Sequence, residues 1–141
     1  MIILDTNVVS EPLKPAPDAA VLAWLNAQAP RSLFITSISL AELFTGIENL
    51  PAGQRRRALA QSLSTQLLAL FADRLLSFDA SAATAFANIH TQAKQAGNPI
   101  GFADCSIAAI AQAQGFTLAT RNLRDFQGTS IELINPWNHQ A

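Results

Sequence analysis

Met-Ile-Ile-Leu-Asp-Thr-Asn, residues 1–7, decides the fold class of this chain. Its apolar residues run without a break into Asp5, with no polar position to mark a solvent face. Short unbroken apolar runs of this kind suit strands buried on both faces, as in a parallel sheet covered by helices. Asp5 then stands where the strand leaves the sheet, at the carboxyl edge where open α/β folds place their ligands. A carboxylate there is costly unless something pairs with it, and its partners have to come from the rest of the chain.

Downstream, Ser-Glu-Pro-Leu-Lys-Pro-Ala-Pro at 10–17 carries three prolines, which exclude a helix interior and mark a loop. Asp18 is placed to cap a helix bearing Val21, Leu22, Trp24 and Leu25, closed by Pro30. Leu33-Phe34-Ile35 predicts a second buried strand, followed by a helix with Leu40, Leu43, Phe44 and Ile47 on one face. A longer helix from about Gln54 carries Leu59, Leu63, Leu67, Leu70 and Phe71 at helical spacing. Leu75–Phe78 reads as a third strand, and Asp79 or Ser81 caps a helix reaching Lys94. Gly101 opens a helix from Phe102 to Gln114 that is apolar almost all round and therefore central, with Gly115 as its stop. Phe116–Ala119 and Ile131–Ile134 complete the strands. The alternation predicts one α/β domain over 1–137, a parallel sheet of about five strands flanked by helices on both faces, and a tail at 138–141.

The chain is 50% hydrophobic and only 13% charged, against about 25% charged in an ordinary domain. So little charge points to a surface partly covered by a partner, with a second copy of the chain as the first candidate. The net charge of −1 argues against a protein held to nucleic acid by its overall field. Cys105 is the lone cysteine, which rules out an internal disulfide and a multi-cysteine zinc site. No apolar run reaches the roughly 18 residues of a membrane span, and Asp5 interrupts any signal-like start. The expectation is a soluble, cytoplasmic protein.

On this map Asp5 follows the first strand, Glu42 lies in the first turn of the helix after the second, Asp104 opens the central helix, and Asp125 follows the fourth strand. If the central helix starts at the carboxyl edge, four carboxylates converge there. Like charges so placed raise one another's pKa unless a cation neutralises them, and an all-oxygen set suits Mg²⁺ or Mn²⁺. Structural roles compete. Ser39-Leu-Ala-Glu42 matches a capping box, Asp5 could cap the loop after the first strand, and Asp125 could pair with Arg121 or Arg124. Asp104 is harder to explain by structure, being the only charged residue between Lys94 and Arg121. A favourable helix-dipole contact is worth only about 0.3–1 kcal/mol.

Leu-Asp-Thr-Asn at 4–7, Ala-Glu-Leu-Phe-Thr-Gly at 41–46, Gly-Phe-Ala-Asp-Cys-Ser-Ile-Ala-Ala at 101–109 and Thr-Arg-Asn-Leu-Arg-Asp-Phe at 120–126 resemble, in order and spacing, the four motifs of PIN-domain ribonucleases. The likeness is greatest to VapC toxins of the FitB-like group, which share the Ile-Asn-Pro-Trp ending at 134–137. The resemblance implies the toxin of a type II toxin–antitoxin system, a Mg²⁺-dependent (or Mn²⁺-dependent) endoribonuclease acting on single-stranded or loop RNA. It implies that Asp5 and Asp104 hold the metal and that Glu42 and Asp125 complete the cluster through water. Thr6, Asn7, Thr120 and Asn122 match supporting polar positions, and Arg121 and Arg124 are the candidates for RNA contact. The implied partners are a cognate antitoxin, RNA and a second copy, with no direct reading of DNA and no membrane.

Two other readings remain at this stage. A haloacid-dehalogenase-like phosphatase also places an aspartate after its first strand, but Asn7 stands where its second aspartate belongs. A catalytically silent protein-binding module would use the acids only as caps.

Overall fold

The computed structural model describes residues 1–140; of the expected tail, Ala141 lies outside them. Its strands are β1 (Ile2–Leu4), β2 (Leu33–Thr36), β3 (Leu75–Leu76), β4 (Thr117–Ala119) and β5 (Leu133–Ile134). They form one sheet in the order β3-β2-β1-β4-β5, with every neighbouring pair parallel. The helices are α1 (Thr6–Ser10), α2 (Ala19–Ala27), α3 (Ser37–Glu48), α4 (Gln54–Ser62), α5 (Leu68–Leu70), α6 (Ala80–Gln95) and α7 (Phe102–Gln114). Successive residues of a strand face opposite sides. Ile3 accordingly joins a core with α6 and α7, while Leu4 joins a second with Val8, Trp24, Leu40 and Phe71. Leu118 and Ala119 of β4 divide in the same way. Apolar packing on both faces is why β1 carries no polar alternation. No helix of the described residues is long and apolar enough to cross a membrane.

The caps explain most helix starts. Asp18 Oδ1 accepts from the Ala20 and Val21 amides, and Asp79 Oδ1, rather than Ser81, accepts from Ala82. In α7, seven successive residues from Cys105 to Ala111 are buried, and Gly115 ends the helix at φ 71°, a left-handed conformation that suits glycine.

Four expectations shift. Ser10 still belongs to α1, and Glu11–Leu13 form a 3-10 turn with Pro12 near its start, where no N–H is needed. The long helix from Gln54 is broken by a π-helical turn at Leu63–Leu67, which turns Leu63 into the core. β3 and β5 are two residues each because they are the sheet edges, where short strands are the rule. Finally, α3 starts at Ser37, because Thr36 Oγ1 accepts from the Ser39 amide at 3.1 Å. Glu42 therefore falls in the second turn rather than the first, and the capping box does not form.

Candidate active site at the carboxyl edge of the sheet

Asp5 is the hinge between strand and helix. Its N–H donates to Ala119 O at 2.9 Å, extending the ladder, and its carbonyl accepts from Val8 and Val9, opening α1. The side chain is 3% exposed. Oδ1 accepts from the Thr6 amide at 2.8 Å, and Oδ2 accepts from Thr120 Oγ1 at 2.7 Å, with the Asn7 carboxamide more distant at 3.5 Å. The structural role of a cap is thus real. Burial still pushes the Asp5 carboxyl above its ordinary value; the Thr120 and Thr6 bonds pull it down, and the charges of Glu42 and Asp125 push it up.

Glu42 reaches the same edge from α3. Its Oε1 lies 2.6 Å from Thr6 Oγ1, which also lies 2.9 Å from Ser39 Oγ. A hydroxyl has one proton, and the carboxylate is the stronger acceptor, so Thr6 donates to Glu42 and Ser39 donates to Thr6. Ser39 is fully buried and belongs to the site's support, a role that sequence reasoning missed because the capping-box pattern supplied another explanation.

Asp104, in the first turn of α7, is half-buried. Its carboxyl is pushed up to about 6, first by burial and then by Asp5, Asp125 and Glu42, and no hydrogen bond offsets these effects. Asp125 is exposed on the 3-10 turn Leu123–Phe126, which Phe126 anchors in the core at 1% exposure. Asn122 does not cap that turn with its side chain; its amide donates to Thr120 Oγ1 at 3.0 Å and so fixes the hydroxyl that serves Asp5.

Among the described residues no cationic side chain pairs with these acids. The ion pairs among the described residues join Lys14 to Glu11, Arg31 and Arg74 to Asp73, and Arg56 to Glu48. Arg121 turns instead to Trp137, its guanidinium 5.1 Å from the ring centroid. Arg124 is exposed beside Asp125 in the chain, without an ion pair. An all-oxygen set of unpaired carboxylates fits a hard divalent cation. Among the described residues no three His, Cys, Asp or Glu side chains are drawn tightly enough to enclose an ion alone. A cation there would therefore keep waters in several positions, as Mg²⁺ does.

Three other chemically capable side chains have structural surroundings. The Cys105 thiol is buried and pushed up to about 11 by that burial, so it is not a nucleophilic thiolate. His90 stacks on Phe86 at 5.8 Å, on α6. Arg74, which the sequence presents as an ordinary charged residue beside Asp73, is 7% exposed and donates to the carbonyls of Pro30, Leu33 and Leu70. It is a structural tie.

Comparison with known proteins agrees with this fold. The family model described as PIN domain matches residues 2–130. The chain is 45% identical over 137 residues to VapC ribonuclease Y4jK of Sinorhizobium fredii, covering 97% of this chain and 98% of that one. It is 40% identical over 138 residues to toxin FitB of Neisseria gonorrhoeae, covering 98% and 99%. The solved structure of FitAB bound to an IR36 DNA fragment superposes with a TM-score of 0.95 at 38% identity, over 100% of this chain and 99% of that one.

Proposed function

The chain belongs to the PIN-domain family, and on that footing we propose that it is the toxin of a type II toxin–antitoxin pair, a Mg²⁺-dependent endoribonuclease. Its domain is read as 1–137, acting in the cytoplasm on single-stranded or loop RNA. The observation that carries the reading is Asp104, a half-buried carboxylate with no hydrogen bond, facing three further acids and no cation.

Asp5 and Asp104 would hold the ion, with Glu42 and Asp125 reached through water. Bound Mg²⁺ or Mn²⁺ supplies Lewis-acid polarisation of a phosphoryl oxygen and a lowered pKa for bound water. The chain's own groups do the rest. Thr120 and the Thr6 amide fix both oxygens of Asp5, the kind of outer support that orients a metal ligand. Thr6 occupies Glu42 Oε1, leaving Oε2 to take the proton of the attacking water. Water oxygen bonds to phosphorus, the P–O3′ bond breaks, and the 3′-oxygen is protonated from solvent. The products are a 5′-phosphate and a 3′-hydroxyl.

Arg121 and Arg124 both lie just before Asp125 in the chain and are the proposed phosphate contacts. A relative is named a toxin, and FitAB is a two-component assembly that sits on DNA. By analogy, this chain binds a cognate antitoxin and a second copy of itself, and DNA is read through the antitoxin. A phosphatase using Asp5 as nucleophile has no support, because Asn7 replaces its second aspartate. A silent module would leave the family's nuclease activity unexplained.

The test is incubation of antitoxin-free protein with mixed RNA, in Mg²⁺ and in chelator, followed by mapping of the ends. Cleavage only with the ion, leaving 5′-phosphate ends, is expected. Cleavage unaffected by chelator, or ends carrying a 2′,3′-cyclic phosphate, would refute the mechanism.

A further inference from the structure

A cleft of about 500 Å³ adjoins the acid cluster and shares Glu42 with it. One wall is the face of α3 that presents Ala41, Thr45, Gly46 and Asn49; the other is the start of α7, Phe102 and Ala103. Two features of this cleft are not called for by packing within the single chain. Phe102 is 71% exposed, the most exposed of the chain's large apolar side chains, yet it is held in place, its ring 5.3 Å from that of Phe86. Gly46 sits inside a helix, where alanine is the better residue, and a Cβ built there meets nothing within 4 Å. Neither a turn nor a close approach within the chain calls for glycine at 46.

An anchored aromatic ring standing in water beside a floor of small residues is a slot for a flat ring. Bases of single-stranded RNA stack on such platforms, and the contact is sequence-tolerant because every base has a π-face. Thr45 and Asn49 add a hydroxyl and a carboxamide that can read a base edge. Resting on the nuclease reading above, we propose that Phe102 is the stacking platform for the base next to the scissile phosphate, and that this cleft sets which base is preferred there. Phe102 immediately precedes Ala103 and Asp104, so a base held on it delivers its phosphate to the acids.

The experiment compares the parent with Phe102→Ala, Phe102→Trp and Gly46→Ala, each checked for fold by circular dichroism. A randomised RNA pool with Mg²⁺ gives the base preference at the cut, and steady-state cleavage gives KM and kcat. Separately, ten-nucleotide RNAs containing 2-aminopurine are bound in chelator, and quenching of the fluorescent base reports stacking without cleavage. Phe102→Ala should raise KM about ten- to a hundred-fold, flatten the preference at one position and abolish the quench, while Phe102→Trp keeps both. Gly46→Ala should melt higher yet raise KM, because its methyl enters the slot. An unchanged preference, KM and quench in Phe102→Ala would overturn the proposal. So would a change in sedimentation mass with RNA binding intact, which would make the cleft an interface between copies. If the parent cleaves no RNA the nuclease reading fails, and the quench in chelator still decides the role of Phe102.

Discussion

Asp104 is a residue the metal-free fold tolerates poorly. Its carboxyl is raised from the ordinary 3.8 to about 6 by burial and by Asp5, Asp125 and Glu42. Between those values the native state holds a proton that the unfolded chain has released. The contribution of this group to stability is therefore largest below about pH 3.8 and is lost as pH rises through about 6. Metal-free Asp104→Asn should melt above the parent at pH 7.5, with the gap closing towards pH 4, as calorimetry in chelator can measure. Added Mg²⁺ should raise the melting temperature of the parent and not of the variant. A gap independent of pH would contradict this account. Thr120 poses the opposite case: it is fully buried and its hydroxyl serves Asp5. Thr120→Val keeps the shape but strips Asp5 of that bond and leaves the Asn122 amide unpaired, at a cost of about 1–3 kcal/mol by denaturant unfolding. RNA cleavage should fall about ten- to a hundred-fold, as outer-shell changes at metal sites do.

At the scale of elements, the helix caps and the central strand were legible because their signals are local. Ile3 and Leu4 bury on opposite faces just as an unbroken apolar run implies, and Asp18 and Asp79 cap the helices they precede. Glu42 was misplaced by a turn because Thr36 and Ser39 are both competent caps, and only packing selects between them. The π-turn at Leu63–Leu67 was illegible, since it preserves the helical spacing of leucines to within one residue. Arg74 was missed for a different reason: its partners are main-chain carbonyls more than forty positions away in two cases, which no spacing rule reaches. It ties the carbonyls of Pro30 and Leu33, at the entrance to β2, to the end of α5. Arg74→Met should cost about 2–4 kcal/mol in urea unfolding, through carbonyls left without a donor. Cleavage by the folded fraction should be unchanged, because no atom of Arg74 bonds to the acid cluster.

For the molecule as a whole, the carboxylates belong to four separate segments, and the parallel sheet brings them to one edge. The sequence shows the acids and their order. What it lacks is the network that makes them a site: Ser39 to Thr6 to Glu42, and Asn122 to Thr120 to Asp5. Apart from the local Asn122–Thr120 bond, each link joins residues whose proximity exists only once β1, β2 and β4 lie side by side. With a net charge of −1, the protein has no strong overall field to draw in RNA, so the proposed cleavage rests on this small region. The most direct measurement is the RNA cleavage rate of purified parent, Asp5→Asn and Asp104→Asn proteins in Mg²⁺, each shown to be folded. A loss of at least about a hundred-fold in both variants is predicted, in keeping with the several kcal/mol that a metal contributes to the transition state. Cleavage by either folded variant at the parent's rate would contradict the account.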